Sequence, residues 1–438
     1  MADASKAVST SSPMKAYTEP SGHKRSAPHS VTRPTHLLHE TTSEHEDLVK
    51  LPPIPDFLDT IYSCQRPTPL YSPNDSFITQ LKKIKHVRIL TGDEIGVRAY
   101  STAIATIATY PYTLTTPQEI LHLPGCDQKI ALLYQEWKET GHIQEAEDLE
   151  SDTRLQVLNL FYGIWGVGAT TAREFYAKGW RDLDDVVESG WDTLSRVQQI
   201  GVKYYDEFQL KIPRSEVEYI GEIILKNINK VHPGWHQVIV GSHRRGKPES
   251  GDVDVILSHP NENVTIGAVQ DIVEQLERGE WITHTLILST SNSERGQTPV
   301  SWKGASGKKG TGFDTLDKAL VVWQDPSWPT RSEDLEKNAK AKNPNVHRRV
   351  DIIISPWKTA GCAVLGWTSG TTFQRDLRRY CKKIKNLKFD SSGIRSQKDG
   401  HWVDLEKGEE TRDLVVKEKR VFAGLGLEWR EPWERCTG

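Results

Sequence analysis

The residue types best suited to chemistry lie in the segment GSHRRGKPESGDVDVIL, at positions 241–257. Asp252 and Asp254 alternate there with valines, so a strand would place both carboxylates on one face and the valines in the core. Neighbouring carboxylates repel each other unless a cation lies between them, and such oxygen ligands suit Mg²⁺. Asp351 offers a third acid in the similar apolar run HRRVDIIIS (347–355). If the two runs are neighbouring strands, the three acids form a site for two Mg²⁺ ions, with Mn²⁺ as a substitute.

Hydrogen-bond donors precede these acids. Gly241 and Ser242 open the segment, and the guanidinium groups of Arg244 and Arg245 follow. Such a turn combines backbone N–H, hydroxyl and guanidinium donors, which together fit a triphosphate. A D-x-D pair by itself is more often an exposed pair on an edge strand. The donors before it and the second acidic strand after it favour a catalytic site instead.

Two segments share an apolar entry, a glycine turn and a helix start, namely LPGCDQKIA (123–131) and IWGVGATTA (164–172). Glycine lets the backbone approach a ligand closely, and the N–H groups of a helix N-terminus suit a phosphate. As a pair, these hairpins could hold a sugar–phosphate backbone without reading its sequence. Each one alone is better explained as a packed helical turn. Asp127 stands in the first hairpin where the second has Gly168, and its charge would repel phosphate.

The chain has 438 residues, a formal net charge of −3 and a mean hydropathy of −0.56. No stretch approaches the roughly 18–20 apolar residues that a membrane helix needs, and the N-terminus lacks the apolar run of a secretory signal. The five cysteines lie far apart without CxxC spacing. This spacing argues against a zinc module or a disulfide framework and favours a reducing compartment.

The composition and the hydrophobic periodicity of the sequence change along the chain. Residues 1–70 are rich in proline, serine and threonine without a hydrophobic period, which predicts a disordered leader. From 71 to 230, apolar residues recur at spacings of three and four between glycines and prolines, which predicts helices. β-branched runs bounded by turns follow and predict a sheet. Its predicted strands are WHQVIVGS, GDVDVILS, KALVVWQ and RRVDIIIS, with a helix at 264–278 among them.

Taken together, GSHRRGK and SGDVD resemble the nucleotidyltransferase signature of the family X DNA polymerases, which include DNA polymerases beta, lambda and mu and terminal deoxynucleotidyl transferase. The resemblance covers roughly residues 74–438. It is also carried, in this order, by TGDEIGVRAYSTA, the two hairpins, IGVKYYDEFQLKIPRSEV, HRRVDI, GWTSGTTFQRDLRRY and VFAGLGLEWREPWER. It implies a DNA-directed DNA polymerase that adds nucleotides to a primer 3′-hydroxyl by two-metal nucleotidyl transfer with release of pyrophosphate.

The resemblance also implies an α+β multidomain fold. Helical helix-hairpin-helix domains would precede a nucleotidyltransferase palm with a mixed sheet and helices, and a small α/β C-terminal domain would follow. The predicted boundaries are 1–70 for the leader, 71–152 for a helical lyase-type domain with the first hairpin, 153–230 for a helical DNA-binding domain with the second, 231–360 for the palm and 361–438 for a domain that contacts nucleotide and template.

Site residues follow from the same resemblance. Asp252 and Asp254 would hold both metals, and Asp351 would ligate the catalytic one near the primer 3′-hydroxyl. The predicted nucleotide-binding residues are Gly241, Ser242, Arg245, Ser250, Gly251, Gly366, Trp367 and Gln374. The predicted DNA-binding residues are Gly125, Lys129, Gly166, Gly168, Arg349 and Arg378. Lys211 stands where relatives have an arginine that faces the triphosphate.

Three features bear on the branch of the family. Leu133 occupies the position of the Schiff-base lysine of lyase-competent relatives, and a leucine cannot form an imine; Lys138 lies out of register with it. An insertion at 288–312 is rich in Gly, Ser and Lys, which predicts a mobile loop. The resemblance to DNA polymerase mu and terminal transferase implies that this loop lies near the template, although a decorative surface loop has the same composition. A second insertion at 326–345 predicts an exposed charged loop.

The third feature is GWTSG at 366–370, which is similar to the GWTGS of DNA polymerase mu and terminal transferase with its Ser-Gly order inverted. Gly366 stands where beta and lambda have a tyrosine at the sugar edge of the nucleotide. This predicts weak discrimination against ribonucleotides, unless the glycine serves only the turn. Downstream, residues 369–388 carry seven Lys or Arg against one acid, which favours contact with DNA over a merely solvated face.

These features favour a mu-like polymerase that fills short gaps in DNA repair, in the end joining of double-strand breaks. The expected partners are gapped or broken DNA, nucleoside triphosphates and end-joining factors, for a monomeric nuclear enzyme without membrane contact. We recognise no BRCT-like module before residue 70. The alternatives are a beta- or lambda-like base-excision gap filler, a template-independent terminal transferase and a catalytically idle DNA-bridging protein. The paired hairpins argue against a nucleotidyltransferase that acts on other substrates.

Overall fold

Helices form in the first part of the chain, where apolar side chains recur every three or four residues. The computed structural model describes residues 51–297 and 315–437. The first five helices enclose a core that includes Leu81, Ile104 and Leu133. They are α1 (Asp75–Thr91), α2 (Glu94–Thr109), α3 (Pro117–Leu121), α4 (Gln128–Thr140) and α5 (Gln144–Ser151).

Five shorter helices surround a second core, which includes Leu158, Phe161 and Trp180. They are α6 (Thr153–Tyr162), α7 (Ala169–Ala177), α8 (Leu183–Gly190), α9 (Arg196–Lys203) and α10 (Tyr205–Gln209). Arg173 on α7 donates to the backbone oxygen of Leu90 near the end of α1 at 3.0 Å. This contact ties the second helical group to the first.

A mixed five-stranded sheet forms the middle of the molecule. Its strands lie in the order β2-β4-β7-β6-β5. Only β4 and β7 are parallel neighbours, and the other pairs are antiparallel. The strands are β2 (His236–Ile239), β4 (Val253–His259), β5 (Ile282–Ser289), β6 (Asp317–Trp323) and β7 (Arg348–Pro356), while β1 (Ile212–Pro213) and β3 (Glu249–Ser250) pair as a separate ribbon.

Two amphipathic helices cover one face of this sheet. Val217 and Ile224 lie on the helix at Arg214–Val231, and Ile272 lies on the helix at Ala268–Arg278. All three pack in one core with Val253 and Val255 of β4. The helices of this part are α11 (Arg214–Val231), α12 (Gly241–Arg244), α13 (Ala268–Arg278) and α14 (Arg331–Lys337). Because the valines of β4 point into this core, the side chains between them point to the other face.

The C-terminal part combines helices with a three-stranded antiparallel sheet in the order β10-β9-β8. Its elements are α15 (Ala360–Thr368), α16 (Thr371–Lys383), β8 (Leu387–Asp390), β9 (Gly393–Ser396), β10 (Trp402–Val403) and α17 (Leu414–Gly424). The predicted α+β multidomain class is confirmed. The four predicted palm strands are also confirmed, but β5 was not among them.

The prediction of a disordered leader up to residue 70 is wrong for its last part. Cys64, Arg66 and Thr68 are fully buried. The backbone N–H of Ser63 donates to the side chain of Asp376 on α16 at 3.0 Å, and Thr68 pairs with Arg435 in a parallel bridge. Proline and serine content suggested disorder, but these tertiary contacts order the segment. Residues 1–50 lie outside the described part of the chain.

The insertions differ from their predicted form. The loop predicted at 288–312 begins inside β5, and Asn292 and Gln297 are buried. The carboxylate of Asp317 accepts the backbone N–H of Asn292 at 2.8 Å, which holds this stretch against β6. The remainder of that loop, from 298, lies outside the described residues. The loop predicted at 326–345 contains the exposed helix α14, and the helix predicted at 264–278 begins only at Ala268.

None of the helices in the described ranges combines the length and the apolar character that crossing a membrane requires.

Candidate active site

The acidic residues lie at one end of the two parallel strands. β4 and β7 pair in a register that sets Asp254 directly beside Asp351. Asp252 precedes β4 by one residue. Gly241 has a φ of 62°, and a Cβ there would collide with Oδ2 of Asp254. Only glycine therefore lets the donor turn approach this carboxylate so closely.

The electrostatics of this edge favour a bound cation. Burial, followed by the charges of Asp252 and Asp351, raises the pKa of Asp254 well above its usual range. Burial and then the charge of Asp252 raise the pKa of Asp351 to about 7. Carboxylates whose charged forms are disfavoured by one another are stabilised when a divalent ion neutralises them.

One of the three acids already has a partner within the protein. Asp252 is 41% exposed and turns its Oδ2 toward Nη2 of Arg349, at 3.5 Å. Within residues 51–297 and 315–437, no three His, Cys, Asp or Glu side chains are grouped closely enough to hold a metal. The donor set nevertheless fits a hard divalent cation, because all three side chains offer carboxylate oxygens. For the three acids to share one cation, Asp252 would have to turn away from Arg349.

The predicted triphosphate contacts form a compact turn beside these acids. The backbone of α12 carries Gly241 and Ser242, and Ser242 Oγ donates to Oγ of Ser250 on β3 at 2.9 Å. Arg245 donates from Nη1 to the backbone oxygen of Thr368 at 2.7 Å. Gly251 accepts from Nη2 of Arg349 at 3.1 Å on its backbone oxygen. The structure thus brings these predicted residues together at the end of the parallel strands.

Lys211 also reaches this turn. A Cβ built on Gly251 would lie 3.9 Å from Nζ of Lys211 and 3.6 Å from Nη2 of Arg349. The lysine therefore places a positive charge beside the turn, at the position where relatives are expected to have an arginine.

A buried ion-pair network behind the turn was missed by sequence reasoning. Glu418 on α17 is fully buried and accepts from Nη2 of Arg244 at 2.8 Å and from Nη1 of Arg435 at 2.5 Å. Arg244 also donates to Oγ1 of Thr368 at 2.7 Å. The two arginines lower the pKa of Glu418 in spite of its burial. The network holds the triphosphate turn against the C-terminal part of the chain. No local sequence pattern could predict it, because its members lie far apart in the sequence.

The nucleotide-contact residues predicted in GWTSG occupy a helix rather than a turn. Gly366 and Trp367 belong to the last turn of α15, which ends at Thr368. A Cβ on Gly366 would lie 3.2 Å from Cβ and Oγ of Ser391. The glycine therefore leaves room for the loop that carries Ser391, between β8 and β9. The chain turns only after the end of α15.

Gln374 and Arg378 lie on the same face of α16, one turn apart. Gln374 donates from Nε2 to the backbone oxygen of Ser369 at 2.8 Å and accepts from Nη2 of Arg378 at 2.9 Å. Burial lowers the pKa of Arg378 to about 10. The two side chains orient each other, so a bound strand would meet a fixed pair of polar groups.

Other basic residues of 369–388 have a structural role. Asp376 is fully buried and receives Nε of Arg375 and Nη1 of Arg379, each at 3.1 Å. Arg375 also donates to Oγ1 of Thr102 on α2 at 3.1 Å. Arg375 therefore joins α16 to the first helical group, while DNA contact by the basic stretch stays a prediction.

The two hairpins share a backbone but differ at the helix start. Gly125 and Gly166 have φ values of 81° and 87°. In the first hairpin, Asp127 caps α4 by accepting the backbone N–H of Ile130 at 3.2 Å. In the second, Gly168 leads into α7 without a side-chain cap. The N-terminal N–H groups of α7 are therefore available to a phosphate, whereas the start of α4 already carries a carboxylate.

The second hairpin lies close to the acids. Arg349 places its guanidinium 5.7 Å from the ring centre of Trp165, which is part of this hairpin. Since Arg349 also contacts Asp252, one side chain links the hairpin to the acidic edge.

Three side chains in and after the first hairpin contact other parts of the protein. Lys129, predicted to bind DNA, pairs through Nζ with Glu145 at 3.0 Å. Leu133 is only 6% exposed and packs in the core of the first helical group. Lys138, on the same helix, donates to the backbone oxygen of Thr115. The position of the Schiff-base lysine is thus a packing position.

Models of known families match most of the chain in consecutive blocks. The matches are a helix-hairpin-helix domain at 72–143, the fingers domain of DNA polymerase lambda at 159–209, the DNA polymerase beta palm at 211–357 and the DNA polymerase beta thumb at 363–436.

Full-length relatives agree with these blocks. The chain is 32% identical over 403 residues to the DNA polymerase type-X family protein pol4 of Schizosaccharomyces pombe, covering 92% of this chain and 70% of that protein. It is 27% identical to the human DNA-directed DNA/RNA polymerase mu, covering 85% and 71%. It is 24% identical to the DNA nucleotidylexotransferase of Bos taurus, covering 88% and 72%.

Proposed function

Because this chain belongs to the X family of DNA polymerases, we propose that it extends primers in short gaps and at broken DNA ends, copying a template strand. The observation that carries this proposal is the in-register pair Asp254 and Asp351 beside the glycine-led donor turn. This arrangement suits nucleotidyl transfer, in which a nucleotide is joined to a primer and pyrophosphate leaves.

The reaction asks the protein mainly for position and charge. The primer 3′-hydroxyl releases its proton to water and its oxygen forms a bond to the α-phosphorus. The bond from that phosphorus to the bridging oxygen breaks, and pyrophosphate leaves with the electron pair. Ser242, Arg245 and the backbone of the turn would hold the triphosphate for this in-line displacement. Arg349, freed from Asp252, would stay beside Gly251 and the growing end.

Family X polymerases use divalent metal ions, and we propose Mg²⁺ for this chain because all three acids offer oxygen ligands. Asp252, Asp254 and Asp351 would hold two ions, which supply charge neutralisation for the triphosphate and a lower pKa for the attacking hydroxyl. The raised pKa of Asp351 supports this role, since burial and then the charge of Asp252 disfavour its charged form, and a bound cation would favour it.

Two observations support a mu-like branch over a base-excision gap filler. Leu133 is buried where a lyase would need a lysine. Gly366 has no side chain, at the position that the family resemblance assigns to the sugar edge, and one relative bears the name DNA-directed DNA/RNA polymerase mu. We therefore propose that the enzyme also accepts ribonucleotides, and that it works with end-joining factors in the nucleus as a monomer. A second candidate function is template-independent addition, because another relative is a DNA nucleotidylexotransferase.

One experiment separates these functions. Purified full-length chain is offered a duplex with a one-nucleotide gap, a pair of duplexes with complementary 3′ overhangs and a bare single strand, each with Mg²⁺ and all four deoxynucleotides. We expect extension of the gap and of the paired overhangs in the order that the template dictates, with no tailing of the single strand. Efficient tailing would identify a terminal transferase, and activity on the gap alone would favour the base-excision alternative.

A further inference from the structure

A second set of contacts joins the triphosphate turn, residues 241–247, to the start of α11. Arg214, the first residue of that helix, donates from Nη1 to the backbone oxygen of His243 at 2.7 Å and to that of Lys247 at 3.2 Å. The backbone N–H of Gly246 also donates to the oxygen of His243, at 3.0 Å. His243 therefore lies at the centre of the hydrogen bonds that shape this turn.

The side chain of His243 has one hydrogen-bond partner in the described part of the chain. Its ring is 13% exposed, and Nε2 lies 3.0 Å from Oε1 of Glu218 on α11. Nδ1 is buried and has no such partner there. Because a carboxylate can only accept, Nε2 carries the hydrogen of this bond. Burial lowers the pKa of His243, so the ring is neutral at neutral pH and this hydrogen is its only N–H.

Glu218 connects the ring of His243 to Arg214. Its Oε1, which accepts from the imidazole, also lies 3.7 Å from Nη2 of Arg214. The side chain of Glu218 is 52% exposed, and an exposed ion pair of this kind stabilises a protein little. The effect of Glu218 on the turn should therefore come from the hydrogen bond to His243, whose N–H is mostly buried.

We propose that Glu218 is a positioning residue for the incoming nucleotide, and that it acts through His243 on the turn that holds the triphosphate. The proposal rests on the proposed polymerase function. His243 follows Ser242 directly and precedes Arg245 by two residues, so its backbone carries both of these predicted triphosphate contacts. Without Glu218, the imidazole N–H would lose its partner, and the ring would have to turn to reach water. Such a movement would displace both contacts.

The expected consequence is weaker binding of the nucleotide rather than slower chemistry. If only a fraction of the molecules holds the turn in place, the apparent affinity for the nucleotide falls by that fraction. At saturating nucleotide, the bound triphosphate itself selects the ordered turn, and the reaction then proceeds from the same contacts as in the wild type. KM for the nucleotide should therefore rise while kcat is retained.

The direction of the change in KM separates this role from a purely electrostatic one. Glu218 carries a negative charge near a turn that is predicted to bind an anion. Removal of that charge alone would favour the triphosphate and lower KM. A loss of position has the opposite effect and raises KM.

The test compares two substitutions of Glu218 in the full-length chain. E218Q keeps an acceptor for His243 but loses the charge, whereas E218L loses both. In extension of a one-nucleotide gap with Mg²⁺, we expect KM for the nucleotide to rise about fivefold in E218L, because an unpaired buried N–H is costly. Its kcat should stay within about twofold of the wild type. KM of E218Q should equal or fall below that of the wild type.

E222L is the matched control, because Glu222 is an exposed carboxylate on the same helix, and its KM should not rise. A second comparison tests the route through His243. In H243F the ring has no N–H, so the addition of E218L leaves no polar group of this ring unpaired. KM of the double variant H243F/E218L should therefore equal that of H243F.

A binding measurement keeps this proposal separate from the proposed function. On a gapped duplex whose primer ends in a dideoxynucleotide no transfer occurs, and the dissociation constant of the nucleotide should rise in E218L by the same factor as KM. A wild type that neither binds nor extends would refute the polymerase function, and this proposal with it.

A wild type that binds and extends, with unchanged nucleotide affinity in a folded E218L protein, would overturn the role of Glu218 alone. A lower KM in E218L would also overturn it, because that result indicates simple charge repulsion. An equal rise in KM with and without the His243 ring would likewise exclude the route through His243. Thermal unfolding of each variant shows that it is folded.

Discussion

The acidic end of the sheet and the first helical group (α1–α5) use their polar residues in opposite ways. At the sheet, Asp254 and Asp351 lie side by side, and burial raises the pKa of both although nearby arginine side chains partly offset the shift. In the first helical group, Lys129 is neutralised by Glu145, and the position of a catalytic lysine is filled by Leu133 in the core. The sheet end therefore keeps charged groups in an unfavourable environment. In the first helical group the charge of Lys129 is paired, and Leu133 is packed in the core.

This contrast between the two regions indicates which of them is able to bind and react with a ligand. Groups that react or bind ions are held apart from their natural partners, because a satisfied charge has little left to offer a ligand. By this criterion, we propose the sheet edge as the catalytic region, and we expect the first helical group to bind DNA only weakly.

The largest effect should come from removing one acid. Asp252→Ala or Asp351→Ala should reduce primer extension by about a thousandfold or more, because the charge that orients the reacting phosphate is lost. The melting temperature should stay equal or rise, since the variant relieves repulsion. Steady-state extension of a gapped duplex and thermal unfolding measure both quantities.

Asp271→Ala, on the exposed side of α13, is the control for a carboxylate lost elsewhere. Normal extension by a folded Asp252→Ala protein would contradict the assignment of the catalytic region.

Lyase chemistry should be absent from the first helical group. Borohydride trapping on an oligonucleotide with a 5′-deoxyribose phosphate should give at least about a hundredfold less cross-linked product than a lysine-based lyase gives, because Leu133 cannot form the imine. Lys129→Ala should trap equally little.

Efficient trapping by the wild type would break the comparison. Loss of that trapping in Lys138→Ala would then locate a displaced nucleophile on the same helix.

The next prediction concerns Gly366 on α15 and the choice between ribonucleotides and deoxyribonucleotides. We expect the wild type to use ribonucleotides nearly as well as deoxyribonucleotides, and Gly366→Tyr to restore a preference of roughly 10- to 200-fold, the range expected when one hydroxyl is excluded. The measurement is kcat/KM for both sugars in a one-nucleotide gap. Because a Cβ at Gly366 meets Ser391 at 3.2 Å, the substitution should be paired with Ser391→Gly.

A wild-type preference for deoxyribonucleotides in the thousands would refute the prediction. Gly366 would then serve only its close packing against Ser391.

The smallest effect should appear when the hairpins exchange their helix starts. Asp127→Asn keeps the cap of α4 but removes its charge, so duplex affinity at low salt should rise a few-fold. Gly168→Asp brings the charge to α7, where a Cβ meets nothing within 4 Å, and should weaken affinity by a similar factor.

Fluorescence anisotropy at two salt concentrations measures both variants, with unfolding curves as the check on the caps. Equal affinities for the wild type and both variants would show that neither helix start touches phosphate.

Much of the site could be predicted because its signals are local. Alternation of acids and valines in β4 and β7 requires only the period of a strand, and the glycine turns require only the positive φ that glycine permits. The ordered segment at 52–70 could not be predicted in this way. Its composition resembles that of a disordered chain, and its order comes from the contacts of Arg66 and Thr68 with distant helices and with the C-terminal segment.

The sequence by itself determined which residues could do chemistry, namely three acids in apolar strands, a donor turn and two glycine hairpins, because covalent order and side-chain type set these features. The tertiary structure alone decided the register that joins Asp254 to Asp351, the contact that draws Asp252 to Arg349 and the packing of Gly366 against Ser391. Such contacts depend on how separate elements pack, and packing is the outcome of the whole fold rather than of any local pattern.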